Sequence, residues 1–127
     1  MSSIIGHGVD LVENCRVADL IEKHGERFLV RVFTDTERAY AESSKKRRME
    51  HYAARFAAKE AVFKALGTGW RDGMAWTDVE VVRLSTGQPT IILTGRALDL
   101  ANQLRITQWH ISLSHTETYA IASVIAC

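Results

Sequence analysis

Two carboxylates and a lysine stand where charged groups need a reason to be. Asp10 closes the stretch "IIGHGVD", beside Gly6 and Gly8. Glu60 lies in "RFAAKEAVFKALGTG", residues 55–69, an apolar alanine-rich segment, and Lys64 follows it by four residues. On an ideal helix, turning about 100° per residue, Met49, Phe56 and Phe63 form one line flanked by Tyr52 and Ala53, and Glu60 falls between Phe56 and Ala53. A carboxylate in such a core-facing stripe is costly unless it is paired, hydrogen-bonded or bound to a metal. A hard divalent cation such as Mg2+ is often held by one or two protein carboxylates, with water and substrate phosphate completing its octahedron. With Lys64 on the same side of the helix, the set describes a phosphate-handling site. The simpler account on spacing alone is an ordinary Glu60–Lys64 ion pair, contributing about 0.2–0.5 kcal/mol.

Other candidates are weaker. In "HISLSH", residues 110–115, strand alternation puts Ser112 and Ser114 on the face of His110 and Ile111 and Leu113 on the other. A serine–histidine nucleophile there lacks a third, orienting group, and a His115 bonded within the following turn accounts for it as well. "GTG" at residues 67–69 follows a helix instead of opening one, so it reads as a helix stop, or as backbone able to approach a phosphate, and not as a nucleotide fingerprint. Between Lys45 and Arg71 the sequence places eight Lys or Arg (Lys45, Lys46, Arg47, Arg48, Arg55, Lys59, Lys64, Arg71) against Glu50 and Glu60. That concentration suits an anion site, though a solvated helix face is the commoner use of such a run.

The elements that must position these residues follow from periodicity. A strand is expected over residues 4–10, with Ile4, Gly6, Gly8 and Asp10 on one face, left bare by the two glycines. A helix over 14–24 is stopped by Gly25, and "TDTE" at 34–37 is a capping box opening a short helix. The long helix spans 47–66. Strands over 77–84 and 90–93 flank an "STGQ" turn, with Pro89 at the second strand's entrance. Thr94 caps a helix over 96–104, and two alternating strands close the chain around a turn at 116–118. The mixture predicts an α+β domain, a mostly antiparallel sheet packed with a long central helix.

The chain has 127 residues, 46% of them hydrophobic and 24% charged, with a formal charge of +1. That suits one soluble domain, residues 1–127, and net charge selects no nucleic acid. Cys15 and Cys127 form neither a disulfide framework nor a metal-ligand spacing, and no apolar run approaches the roughly 20 residues needed to span a bilayer. A cytoplasmic protein without membrane attachment is expected.

Gly8-Val9-Asp10, in "GVDLVE", and Phe56-Ala57-Ala58-Lys59-Glu60-Ala61-Val62-Phe63-Lys64 together resemble the two motifs of the single-domain 4′-phosphopantetheinyl transferases, and more narrowly the bacterial holo-acyl-carrier-protein synthases. "ISLSHTETYAIA" and "STGQPTI" are similar to the closing hairpin and a loop of the same family, so the likeness covers nearly the whole chain. The resemblance implies transfer of 4′-phosphopantetheine from coenzyme A to a serine of an acyl carrier protein, releasing adenosine 3′,5′-bisphosphate. It implies Asp10 and Glu60 as Mg2+ ligands and Lys64 as the catalytic cation. Coenzyme A contacts are expected at Lys46, Arg47, Arg55, Lys59, Lys64, Gly67, Gly69, Pro89 and His115, with Lys46 and Arg47 preferred for the 3′-phosphate. Arg16 and Leu20 are expected to meet the acidic carrier protein. The group taking the serine proton is left open among Asp10, Glu60 through a metal-bound water, and the phosphate itself. A homotrimer with sites between subunits is also implied. His7 departs from the family, which carries an aliphatic residue there, and "WRDGMAW" varies. Two rivals belong to other classes: a Mg2+-dependent nuclease using the Asp10 and Glu60 carboxylates, and a carrier-binding module in which Glu60–Lys64 is structural.

Overall fold

The computed structural model describes residues 3–67 and 73–127. Its centre is one helix, α4 (Arg48–Ala65), and the remaining elements are arranged around it. The chain enters through strand β1 (Gly6–Glu13) and passes through helices α1 (Asn14–His24), α2 (Glu26–Val32) and α3 (Asp35–Glu42) before reaching α4. After a 3-10 turn at Trp76–Asp78 come β2 (Val79–Arg83), β3 (Pro89–Leu93), α5 (Gly95–Gln103), β4 (Trp109–His115) and β5 (Tyr119–Ala126). β1, β5 and β4 form one antiparallel sheet in that order, and β2 with β3 forms a separate hairpin lying alongside β4. The fold class is therefore the α+β arrangement that the periodicities predict, with the antiparallel strands divided between two sheets.

The pairing of β1 with α4 explains both glycines. A Cβ on Gly8 would lie 1.9 Å from the Ala61 carbonyl oxygen, and one on Gly6 would lie 2.0 Å from that of Ala65. Neither position has room for a side chain, and the alanines opposite complete the close approach. Two strand residues cover about 6.7 Å and four helix residues about 6 Å, so strand and helix run past each other nearly in step. Continuing the register puts Asp10 level with the α4 turn around residue 57, towards which the Glu60 side chain leans.

Several boundaries differ from those expected. β1 runs to Glu13 because Leu11 and Val12 keep alternating and pair with Ile121 and Ala120. α2 is not foreshadowed: seven residues are too few to display a helical period, and only burial of Leu29 and Val32 fixes it. The expected strand over 77–84 begins two residues later, behind the 3-10 turn. Thr34 makes the expected capping box with Glu37, whereas Thr94 precedes α5 without a side-chain cap. Among the described residues, no helix is long and apolar enough to cross a membrane.

Candidate active site

Along residues 52–65 of α4 every side chain is buried except Glu60, which is half-buried, and Lys64, which is exposed. The aromatic stripe is one packed face, and the alanines spread over the rest of the helix let neighbours pack closely there too. The helix is buried all round, alanines against β1 and β5 and aromatics against Trp76 and Phe28, and Glu60 and Lys64 form the window in that wall. Lys64 Nζ donates to the Val9 carbonyl at 2.9 Å and to Asp10 Oδ1 at 3.1 Å. The simple i,i+4 pair is thus replaced by a contact from helix to strand, and among the described residues Glu60 closes no ion pair of its own. Burial pushes the Glu60 carboxyl above its ordinary range and the negative charge of Asp10 adds to it, while Lys64 and Arg16 act in the opposite sense.

These residues fit a hard divalent cation. Asp10 and Glu60 offer oxygen ligands, and the repulsion between them is what a bound cation would relieve. Among the described residues no group of three or more His, Cys, Asp or Glu side chains could hold a metal ion. Ligands beyond these two would come from water and substrate.

Lys59 and Arg55, expected as anion contacts, belong to the interior instead. Lys59 is 0% exposed; its Nζ lies 2.7 Å from Glu37 Oε1, 3.1 Å from the Trp76 carbonyl, and also donates to the Val79 carbonyl. All three ammonium protons are committed, so none remains for a phosphate. Burial pushes the Lys59 ammonium down and Glu37 opposes it. Glu37 in turn accepts from the Thr34 and Val81 backbone N–H groups. Arg55 is 2% exposed, its guanidinium 4.0 Å from the centroid of the Tyr40 ring. Gly67 has φ +82° and its N–H bonds to the Lys64 carbonyl, so it terminates α4 and has no donor for an anion. Gly69 lies outside the described residues, as does Trp70. Pro89 opens β3 opposite Arg83.

At the other end of α4, a cleft of about 580 Å3 brings Lys46 and Arg47 together with His115, which lies far from them in sequence. Glu50, Asn14 and Glu117 share its lining. His115 is not tied within its turn; its Nδ1 sits 3.3 Å from Glu50 Oε2, across from the helix. The loop carrying Lys46 and Arg47 is anchored by Glu42, which accepts from Arg48 Nε and from the Tyr52 hydroxyl, each at 2.6 Å. Sequence reasoning missed Glu50 and Asn14, since nothing in their local spacing distinguishes them, and it saw Glu37 only as a helix cap and not as the partner of Lys59.

Arg16 is exposed on α1 and close enough for its charge to act on Glu60. Leu20 lies at the rim of a groove of about 540 Å3 between α1 and α2, with His24, Arg27, Phe28 and Arg31. On the far side of the sheet, Val9, Leu11, Tyr119 and Ile121 are all exposed, Leu11 to 61%, giving an apolar face with His7 and Ser123 among them.

Residues 6–124 match the family described as the 4′-phosphopantetheinyl transferase superfamily. The chain is 49% identical over 122 residues to a holo-[acyl-carrier-protein] synthase of Koribacter versatilis, covering 96% of this chain and 97% of the relative. Its backbone is similar to the crystal structure of the holo-[acyl-carrier-protein] synthase from Neisseria meningitidis, with TM-score 0.87, 32% identity and 98% of each chain covered. It is also similar to a holo-(acyl-carrier-protein) synthase from Bacillus anthracis in complex with CoA (3′,5′-ADP), with TM-score 0.81 and 33% identity, covering 98% of this chain and 97% of that one.

Proposed function

The chain belongs to the 4′-phosphopantetheinyl transferase superfamily, and from that membership we propose that it moves 4′-phosphopantetheine from coenzyme A to a serine hydroxyl of an acyl carrier protein, with Mg2+ as cofactor and adenosine 3′,5′-bisphosphate as product. The observation that carries the reading is the Asp10–Glu60–Lys64 window: two carboxylates close enough for the charge of one to act on the other, and a cation, at the opening in the otherwise buried stretch 52–65 of α4. The whole chain is read as one domain around one core. Its two cysteines are free, which suits the reducing cytoplasm.

Asp10 and Glu60 would hold Mg2+, which when bound offsets negative charge on the pyrophosphate oxygens. Lys64 spends two of its three ammonium protons on Val9 and Asp10, leaving one to donate to a phosphate oxygen. The carrier serine oxygen attacks the phosphorus bearing the pantetheine arm. The bond from that phosphorus to the bridging oxygen breaks, the bisphosphate leaves with the developing charge, and the serine proton passes to an acceptor oxygen at the window. A fixed cation where that charge grows is the main contribution a protein makes to phosphoryl transfer.

Lys46, Arg47 and His115 would take the 3′-phosphate end of coenzyme A in their cleft. Arg47 and Glu60 are thirteen positions apart, about 20 Å of helical rise. The homotrimer that the family resemblance implies, with the cleft of one copy completing the window of the next, would bridge that separation and cover the exposed apolar sheet face. Arg16 and Leu20, with the basic groove beside them, would receive the acidic carrier.

Intact-mass spectrometry of an apo-acyl carrier protein mixed with this protein, coenzyme A and Mg2+ tests the reading. A gain of one phosphopantetheine, abolished by a chelator, is the expected result. No gain across several carriers, together with Mg2+-dependent cleavage of nucleic acid, would replace it with the nuclease.

A further inference from the structure

Asn14 is the first residue of α1, just after the N-cap Glu13, and its side chain reaches out of the helix. Its Nδ2 donates to the Thr116 carbonyl at 2.9 Å and to the Glu117 carbonyl at 3.0 Å, across 102 residues of sequence, and its backbone N–H donates to the Thr118 carbonyl at 2.8 Å. Three bonds from one residue therefore hold the β4–β5 turn against the start of α1. The turn is further closed by Thr116, whose Oγ1 accepts from the N–H groups of Thr118 and Tyr119. His115 immediately precedes it and lines the same cleft as Asn14, Lys46 and Arg47.

Asn14 is 6% exposed, and its Oδ1 is buried with no partner. An unpaired buried acceptor is unfavourable, and a side chain kept only for packing would not present one at the wall of a ligand cleft. An isosteric aspartate would set negative oxygens against two carbonyl oxygens, so the amide is the group this turn requires.

We propose that Asn14 is a positioning residue of the coenzyme cleft: its amide fixes the β4–β5 turn, and through the turn it sets where His115 meets the anionic end of coenzyme A. The inference rests on the coenzyme reading of the cleft given above. It makes Asn14 act through His115 and not by contact with the coenzyme, so the two residues must be energetically coupled.

The test is a double-mutant cycle on coenzyme A affinity, measured calorimetrically with the intact protein. Asn14→Ala should weaken binding about tenfold, and should add less than about twofold when His115→Ala is already present. Binding of dephospho-coenzyme A should change less than about twofold in Asn14→Ala. A full tenfold loss in the His115→Ala background, or a folded Asn14→Ala with wild-type affinity, overturns the inference. Should Asn14→Ala fail to fold, Asn14→Ser, which retains a shorter donor, enters the same cycle with an expected loss of about threefold. If the wild-type protein binds no coenzyme A, the coenzyme reading falls and the inference with it. Binding by the wild type with an additive cycle removes the inference alone.

Discussion

Lys59 and Lys64 are one and a half turns apart on the same helix, each beside a carboxylate, and they do opposite things. Lys59 is sealed: Glu37 and two carbonyls take all its protons, and Glu37 is itself saturated by two backbone donors. Such a closed network ties α3, α4 and β2 together and has no capacity left for a ligand. Lys64 is half-exposed, retains a free donor position, and its partner Asp10 faces a second carboxylate that has no ion pair among the described residues. Saturation, more than charge, separates a structural ion pair from one that can meet a substrate.

The strongest way to break that comparison is at Glu60. Glu60→Gln should lower transfer by on the order of 10³-fold without loss of fold, read as turnover of carrier protein. Near-normal turnover at ordinary Mg2+ would remove Glu60 from the metal. The same variant has a stability signature of defined sign. The folded protein holds the Glu60 carboxyl above its ordinary value of 4.5, so its contribution is greatest below pH 4.5 and is lost as pH rises through the folded value. At neutral pH without metal, Glu60→Gln should therefore be at least as stable as the wild type, with the gap closing below pH 4.5 in denaturant titrations.

The sealed pair should respond the other way. Lys59→Met strands a buried carboxylate and should cost about 3–5 kcal/mol of stability, while the folded fraction keeps its coenzyme affinity. Equal stability of Lys59→Met and wild type in urea would show the network to be dispensable. The smallest effect is expected at the cleft. Lys46→Ala with Arg47→Ala should raise the apparent KM for coenzyme A several-fold, roughly 1 kcal/mol for each hydrogen bond to the phosphate removed, and leave that for dephospho-coenzyme A nearly unchanged. Mixing this variant with Glu60→Gln at low coenzyme A should restore transfer if the cleft of one copy serves the window of another. No recovery in the mixture would place each site within a single chain.

Much of this is legible in the sequence. The path of the chain between "GVD" and "RFAAKEAVFKALGTG" need not be known to see that glycines beside a strand aspartate invite a close neighbour, and α1, the capping box at Thr34 and the closing hairpin follow from local pattern. Local pattern failed where a side chain's partner is distant. Lys59 and Arg55 look like members of a basic run, and nothing nearby says that Glu37 and Tyr40 fold over them. His115 finds Glu50, and Asn14 finds the turn at Thr116, across gaps that periodicity does not measure. α2 was missed because seven residues scarcely repeat.

By itself the sequence determined the class of the fold, the family, and the three residues at which chemistry is expected, because helix and strand periods are local and the motif residues are contiguous. Only the tertiary structure decided which charges stay open. A lysine is a structural strut or a ligand contact according to whether its protons are already taken, and that depends on what the remainder of the chain packs against it.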